Sequence, residues 1–165
     1  MKNLDVIEKK ILNLHQLEAA LYLWHFQEKK IVFTNGCFDL LHLGHIDYLS
    51  KAKDQGDVLI VGVNTDRSVK MLDKGKNRPV TDENSRATLL AAIHFVDAVV
   101  LFDEETPYNL IETVQPDVLT KGSDYLPEDI VGYDIVKKRG GKVITIDFLP
   151  GYSTSGIIEK IKKEK

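Results

Sequence analysis

Ile31-Val32-Phe33-Thr34-Asn35-Gly36-Cys37-Phe38-Asp39-Leu40-Leu41-His42-Leu43-Gly44-His45 is the stretch whose reading decides the fold. It opens on a β-branched and aromatic run typical of a buried strand, passes through a polar turn containing Gly36, and enters a segment of helical periodicity over 43–55. A strand that feeds a helix through such a turn is the opening unit of a parallel α/β sheet, in which ligands bind beyond the C-terminal ends of the strands. His42 and His45 are three apart at the head of that helix, so they project from one face where unpaired backbone N–H groups and the positive dipole end favour anions. Gly44 carries no side chain to hold a phosphate away. With five histidines in the chain, a His-x-Gly-His quartet arises by chance about once in a hundred such sequences.

The rest of the chain repeats the alternation. Apolar runs at 58–63, 96–101, 117–119 and 142–146 read as strands buried on both faces. Between them, helices are expected over 66–72, 83–93, 107–114, 128–139 and 155–163, with Thr106-Pro107 as a start signal and Gly140-Gly141 as a stop. Strands alternating with helices predict a Rossmann-like α/β fold, a five-stranded parallel sheet with right-handed crossovers and helices on both faces. Upstream, Leu4, Ile7, Ile11, Leu14, Leu17, Leu21 and Trp24 recur at helical spacing among polar residues, which predicts one or two amphipathic helices. Residues 1–29 are thus expected as an N-terminal helical extension that packs on the domain or on a second subunit in a homodimer, and residues 30–165 as the catalytic domain.

Composition narrows the function. A chain of 165 residues with 43% hydrophobic and 28% charged residues is that of one ordinary globular domain. Its net charge of -3 supplies no field to hold a nucleic acid, so phosphate-binding cations must be locally clustered. The single cysteine fits a reducing compartment, and no export signal or apolar run of membrane-spanning length is present, so a cytoplasmic location without membrane contact is expected.

Other residues at the predicted ligand edge have chemistry suited to phosphates and sugars. Asn64 and Asp66 follow the second strand, where an amide and a carboxylate either orient hydroxyl groups or cap the next helix. Lys70, Lys74, Lys76 and Arg78 form a basic stretch before a helix, readable as a phosphate-closing loop or a solvated run, with Arg78 the functional choice. Lys121-Gly122 follows a buried strand, so its ammonium can reach a phosphate while Gly122 lets the backbone approach a base. Ser153-Thr154-Ser155 opens the last helix, where hydroxyls both cap the helix and bind phosphate oxygens. Cys37 lacks the base a thiolate nucleophile needs and reads as a small packing residue.

These motifs resemble the nucleotidyltransferase superfamily that includes cytidylyltransferases, over Lys30 to the C-terminus. Thr34 to Asp39, Val63-Asn64-Thr65-Asp66, Arg78-Pro79-Val80, Lys121-Gly122-Ser123-Asp124-Tyr125 and Ser153 to Ser155 resemble, in order, one branch of it: the bacterial D-glycero-β-D-manno-heptose 1-phosphate adenylyltransferases. The resemblance implies His42, His45 and Lys121 as catalytic residues. It implies nucleotide binding by Thr34, Asn35, Gly36, Cys37, Phe38, Gly44, Lys121, Gly122, Asp124, Ser153, Thr154 and Ser155. Sugar-phosphate binding is implied for Asp39, Asn64, Asp66, Arg78, Arg86 and Tyr125. Many superfamily members carry an arginine just after the serine/threonine cluster; here Gly156-Ile157-Ile158 follows, leaving Lys160 as the substitute. The reaction implied is transfer of AMP from ATP, with Mg2+ and no dedicated metal-ligand cluster, to give ADP-heptose for lipopolysaccharide core synthesis. Many relatives fuse this domain to a sugar kinase, which here is expected as a separate heptose 7-phosphate kinase. Two other readings stand beside it: a cytidylyltransferase acting on glycerol phosphate or a related alcohol phosphate, and a nucleotide-binding module without turnover.

Overall fold

The computed structural model describes residues 2–72 and 78–163. Lys74 and Lys76 lie outside the described residues. Five strands, β1 (Ile31–Gly36), β2 (Val58–Asn64), β3 (Ala98–Phe102), β4 (Val118–Gly122) and β5 (Lys142–Ile146), form one sheet in the order β3-β2-β1-β4-β5. Every pairing is parallel, as the β-branched runs predict. The chain first winds outward from β1 to β3 and then returns to β4 on the other side of β1. That reversal makes the C-terminal ends of β1 and β4 the switch point, where the loops part and leave a crevice.

Side chains alternate along each strand, and the two faces build two apolar layers. Ile31, Phe33, Val58 and Ile60 pack with Leu17 and Leu21 of α2 (Leu14–Phe26), Leu110, Ile111 and Val114 of α6 (Tyr108–Val114) and Val136 of α7 (Tyr133–Lys138). On the opposite face, Val32, Leu59, Val61 and Val63 meet Tyr48, Leu49 and Ala52 of α3 (Leu43–Lys53) and Ala87, Leu90 and Ala91 of α5 (Glu83–Ala91). The remaining helices are α1 (Asn3–Glu8), α4 (Asp66–Met71) and α8 (Thr154–Lys163).

The helix expected over 128–139 is shorter. A 3-10 turn at Pro127–Asp129 precedes α7, and Gly132 between them adopts φ 88°, a left-handed conformation that interrupts a helix. Gly141 N–H donating to the Val136 carbonyl (2.9 Å) and Gly140 N–H to Lys137 (3.0 Å) end α7 as the glycine pair predicts.

The N-terminal segment is built into the domain. Asn13 accepts from Gln16 N–H (2.9 Å) while Gln16 Oε1 accepts from Asn13 N–H (2.9 Å), a reciprocal cap that starts α2. Just before it, Leu12 N–H donates to Val99 O and Val99 N–H to Lys10 O, both at 2.8 Å, so the chain covers the outer edge of β3. Leu17 and Leu21 are buried, whereas Leu4 and Leu14 of the same stripe are exposed. The apolar periodicity thus overstates the face that α1 and α2 bury.

Leu17→Ala is expected to destabilise the protein by about 3 kcal/mol through the cavity it leaves, whereas Phe26→Ala, on the exposed face, changes stability by less than about 0.5 kcal/mol. Urea unfolding of both variants checks this; equal small effects would mean that α2 is not part of the core.

Candidate active site

At the switch point the loops after β1 and β4 and the 148–154 segment enclose a cavity of about 410 Å³. Fifteen of the residues expected to act line it, from Asn35 to Asp39 on the β1 loop through Thr154 at the head of α8. His42 is the N-cap residue of α3 and His45 lies in its first turn. Their rings stack with centroids 3.9 Å apart and planes 21° from parallel. Phe38 closes on His45 edge to face at 5.3 Å.

Among the described residues no hydrogen-bond partner reaches Nδ1 of His42 or of His45, although both atoms are buried. Burial, and secondarily the neighbouring His42 ring, push the His45 imidazole down to about 4; burial lowers His42 as well. Gly44 fits tightly between them: a Cβ there would lie 3.0 Å from the His42 ring and 3.0 Å from Cβ of Tyr152, so a larger residue would push one of them aside by a few tenths of an ångström. Across the crevice Lys121 Nζ donates to Asn35 Oδ1 (3.1 Å) and to its carbonyl (3.2 Å), and sits 5.6 Å from the Tyr125 ring centroid. One ammonium thereby ties the ends of β4 and β1. Ser153 Oγ accepts from Gly156 N–H (3.0 Å), so that residue caps α8 at the cavity edge.

Several residues expected to touch ligand brace the loops instead. Thr34 is fully buried, its hydroxyl 2.7 Å from Tyr48 Oη and 3.2 Å from the Thr120 carbonyl, and it does not line the cavity. Arg86 is also fully buried: Nη2 donates to Asp66 (2.7 Å), Nη1 to the Cys37 carbonyl (2.7 Å) and Nε to the Thr81 carbonyl (3.0 Å). A guanidinium committed in this way fixes α4, α5 and the β1 loop relative to one another. It leaves neither Arg86 nor Asp66 facing the cavity. Asn64 donates to Ser68 Oγ (2.8 Å), and Thr65 rather than Asp66 caps α4. Ser155 lies just outside the lining. The sequence placed these residues at the correct edge, but the edge has an inner layer that periodicity does not distinguish from the outer one.

Asp39 reaches the cavity wall with its carboxylate already engaged. Val80 N–H (2.8 Å) and Thr81 N–H (2.9 Å) donate to it, and Arg78 Nε lies 2.6 Å away. Burial alone raises this carboxyl, but the two backbone donors and the Arg78 charge outweigh it and hold the group below the usual carboxylate range. Asp39 therefore positions Arg78, which does line the cavity. Cys37 Sγ lies 3.7 Å from Asn64 Oδ1 and is buried, in keeping with packing. Four cavity residues escaped the sequence reading: Tyr48, Phe148, Leu149 and Tyr152. Tyr48 falls at helical spacing from His45 and could have been found; the others lie in a loop without regular period.

Fold and cavity together define a doubly wound α/β domain with a polar crevice of about 410 Å³ at its switch point, lined by histidine, lysine, arginine and aromatic side chains. The cytidylyltransferase-like family model matches residues 33–160, and the chain belongs to that family. It is 55% identical over 154 residues to the bifunctional protein HldE of Citrifermentans bemidjiense, and 58% identical over 158 residues to that of Campylobacter jejuni subsp. doylei. These alignments cover 93% and 96% of this chain but only 31% and 32% of the relatives, so the chain spans about a third of their length. Among solved structures, a lipopolysaccharide core biosynthesis protein from Thermoplasma volcanium is 34% identical, with TM-score 0.61, over 73% of this chain and 97% of that one. Pantoate-beta-alanine ligase from Francisella tularensis, at 18% identity and TM-score 0.63 over 92% of this chain and 76% of that one, shares the fold.

The lowered His45 pKa has a defined sign. Its folded value of about 4 lies below the ordinary 6.5, so its contribution to stability is complete above pH 6.5 and is lost as pH falls toward 4. After allowance for solvent screening the loss is on the order of 2 kcal/mol. Urea unfolding between pH 7 and 4.5 is expected to follow this decline, and His45→Gln to flatten it; an unchanged slope in that variant would contradict the assignment.

Proposed function

We propose that this protein joins AMP from ATP to a sugar 1-phosphate, by resemblance D-glycero-β-D-manno-heptose 1-phosphate, releasing pyrophosphate. The observation that carries the reading is the stacked His42–His45 pair at the head of α3, lining the switch-point cavity together with Lys121 and Arg78. Phosphate oxygens suit imidazole N–H donors.

In this reading the triphosphate lies along the β1 loop and the head of α3, with the acceptor phosphate near Arg78. An oxygen of the acceptor attacks the α-phosphorus, and the bond to the bridging oxygen of pyrophosphate breaks. The acceptor is already an anion, so no general base and no covalent enzyme intermediate are needed. Catalysis comes from alignment and from charge placed where phosphorus gains negative charge. His42 and His45 donate to the phosphates, Lys121 neutralises them from the β4 side, and Ser153 and Thr154 offer hydroxyls at the start of α8.

Mg2+ would accompany ATP and offset phosphate charge. Among the described residues no group of three His, Cys, Asp or Glu could hold a metal ion, and the Asp39 carboxylate is occupied. The metal is therefore assigned to the nucleotide, and no step depends on a protein cage. A sugar kinase carried on another polypeptide, or on another part of a longer one, would act upstream of the acceptor, and we place the reaction in the cytoplasm. Among the described residues no helix is long and apolar enough to cross a membrane. The exposed Tyr22 and Phe26 on α2 offer a face for a homodimer.

Pyrophosphate release measured with ATP or CTP, and with heptose 1-phosphate or glycerol phosphate, tests the substrate assignment. The expected active pair is ATP with heptose 1-phosphate; turnover with CTP alone would transfer the protein to the cytidylyl class, and turnover with neither would support a binding module. His45→Ala is expected to slow turnover by about 10²–10³-fold. Release at the parent rate would overturn the mechanism.

A further inference from the structure

The cavity wall on the β4 side contains an aromatic ring that the proposed reaction leaves without a task. Phe148 lines the cavity beside Gly122, Lys121 and Asp124, yet 54% of it is exposed. A large apolar side chain left half-exposed beside a polar crevice contributes little to folding and offers a flat face to whatever enters. Gly122 leaves room for it: a Cβ at that position would meet the tip of the Phe148 ring and, at 2.7 Å, Oδ1 of Asp124. The glycine after Lys121 thus accommodates a ring at the cavity wall. Tyr48 lies behind, with its ring centroid 6.3 Å from that of Phe148 and the planes 31° apart, so the ring is backed on its inner side.

Arg78 is paired with Asp39 ahead of α5, and Lys121 and Asp124 share the β4 side with Phe148, so both sides of the cavity carry charge. A nucleoside triphosphate with its phosphates between the histidines and Lys121 needs an apolar surface nearby for its planar base, and Phe148 offers one next to Lys121. We infer that Phe148 is the stacking platform for the nucleobase, and that Gly122 is glycine so that this platform can form.

This inference rests on the nucleotide part of the proposed function but not on the identity of the acceptor. Base–aromatic stacking contributes about 1–3 kcal/mol per base by alanine substitution, equivalent to a loss of roughly tenfold or more in affinity. Equilibrium binding of ATP, and of inorganic triphosphate as a probe without a base, to the wild type, Phe148→Ala, Phe148→Leu and Phe148→Tyr tests it without turnover. ATP is expected to bind roughly tenfold more weakly to Phe148→Ala and less tightly to Phe148→Leu, while Phe148→Tyr retains wild-type affinity and triphosphate binds all four alike. ATP affinity unchanged in Phe148→Ala, or ATP and triphosphate weakened equally, would overturn the inference. Should Phe148→Ala fail to fold, the Leu and Tyr variants decide by the same comparison. Wild-type protein that binds ATP through Phe148 but releases no pyrophosphate with any sugar phosphate would sink the proposed reaction and leave the platform standing.

Discussion

The loop that delivers two imidazoles, stacked 3.9 Å apart, to the head of α3 is pinned from beneath. Arg86 performs much of this pinning. Its guanidinium, fully buried, holds the Cys37 carbonyl of the β1 loop, the Thr81 carbonyl before α5 and the Asp66 carboxylate at the start of α4. A buried cation without partners would be costly, and each of these bonds also satisfies an oxygen near the sheet edge that the crevice would otherwise strand. Asp39 does the same with opposite sign, gathering two backbone N–H groups and Arg78. The result is a cavity whose inner frame is ionic and whose lining presents histidine, lysine and aromatic groups to a ligand.

Such a frame separates residues that hold from residues that touch. Asp66, Arg86, Asn64 and Thr34 hold; His42, His45, Lys121, Arg78, Ser153 and Thr154 line the space a phosphate chain could fill. Lys121 belongs to both groups, since its bonds to Asn35 close the gap between β1 and β4 while its ammonium remains at the cavity wall. The switch point thus gains positive charge on one side, from β4, and neutral donors on the other, from α3. The displacement at phosphorus proposed above, in which negative charge spreads over several oxygens, would draw on both.

Much of this was legible in the sequence. Buried strands announce themselves by continuous β-branched runs, and the Gly140-Gly141 pair marked the end of α7, whereas the Thr106-Pro107 signal placed the start of α6 one residue early, since Pro107 is itself its N-cap; the sheet and the edge at which Asn35, His42, Lys121 and Ser153 meet could be read directly. Depth within that edge could not. Arg86 and Asp66 are polar residues near a site, and only the packing of α4 against α5 shows that they face each other rather than the cavity. Phe148 sits in a loop with neither period nor motif, and its ring occupies room left by the absent side chain of Gly122. Similarly, the amphipathic stripe at the N-terminus identified α2 as a packing helix, but only the backbone pairing with Val99 shows that the segment seals the edge of β3.

The central claim is that the phosphates of a nucleotide meet His42 and His45. Side-chain ¹⁵N NMR of histidine-labelled protein, with and without a non-hydrolysable ATP analogue, measures this contact with internal controls. The account predicts that the resonances of His42 and His45 move on binding while those of His15, His25 and His94, which do not line the cavity, stay in place. Binding of the analogue with the two active-site signals unmoved would contradict it.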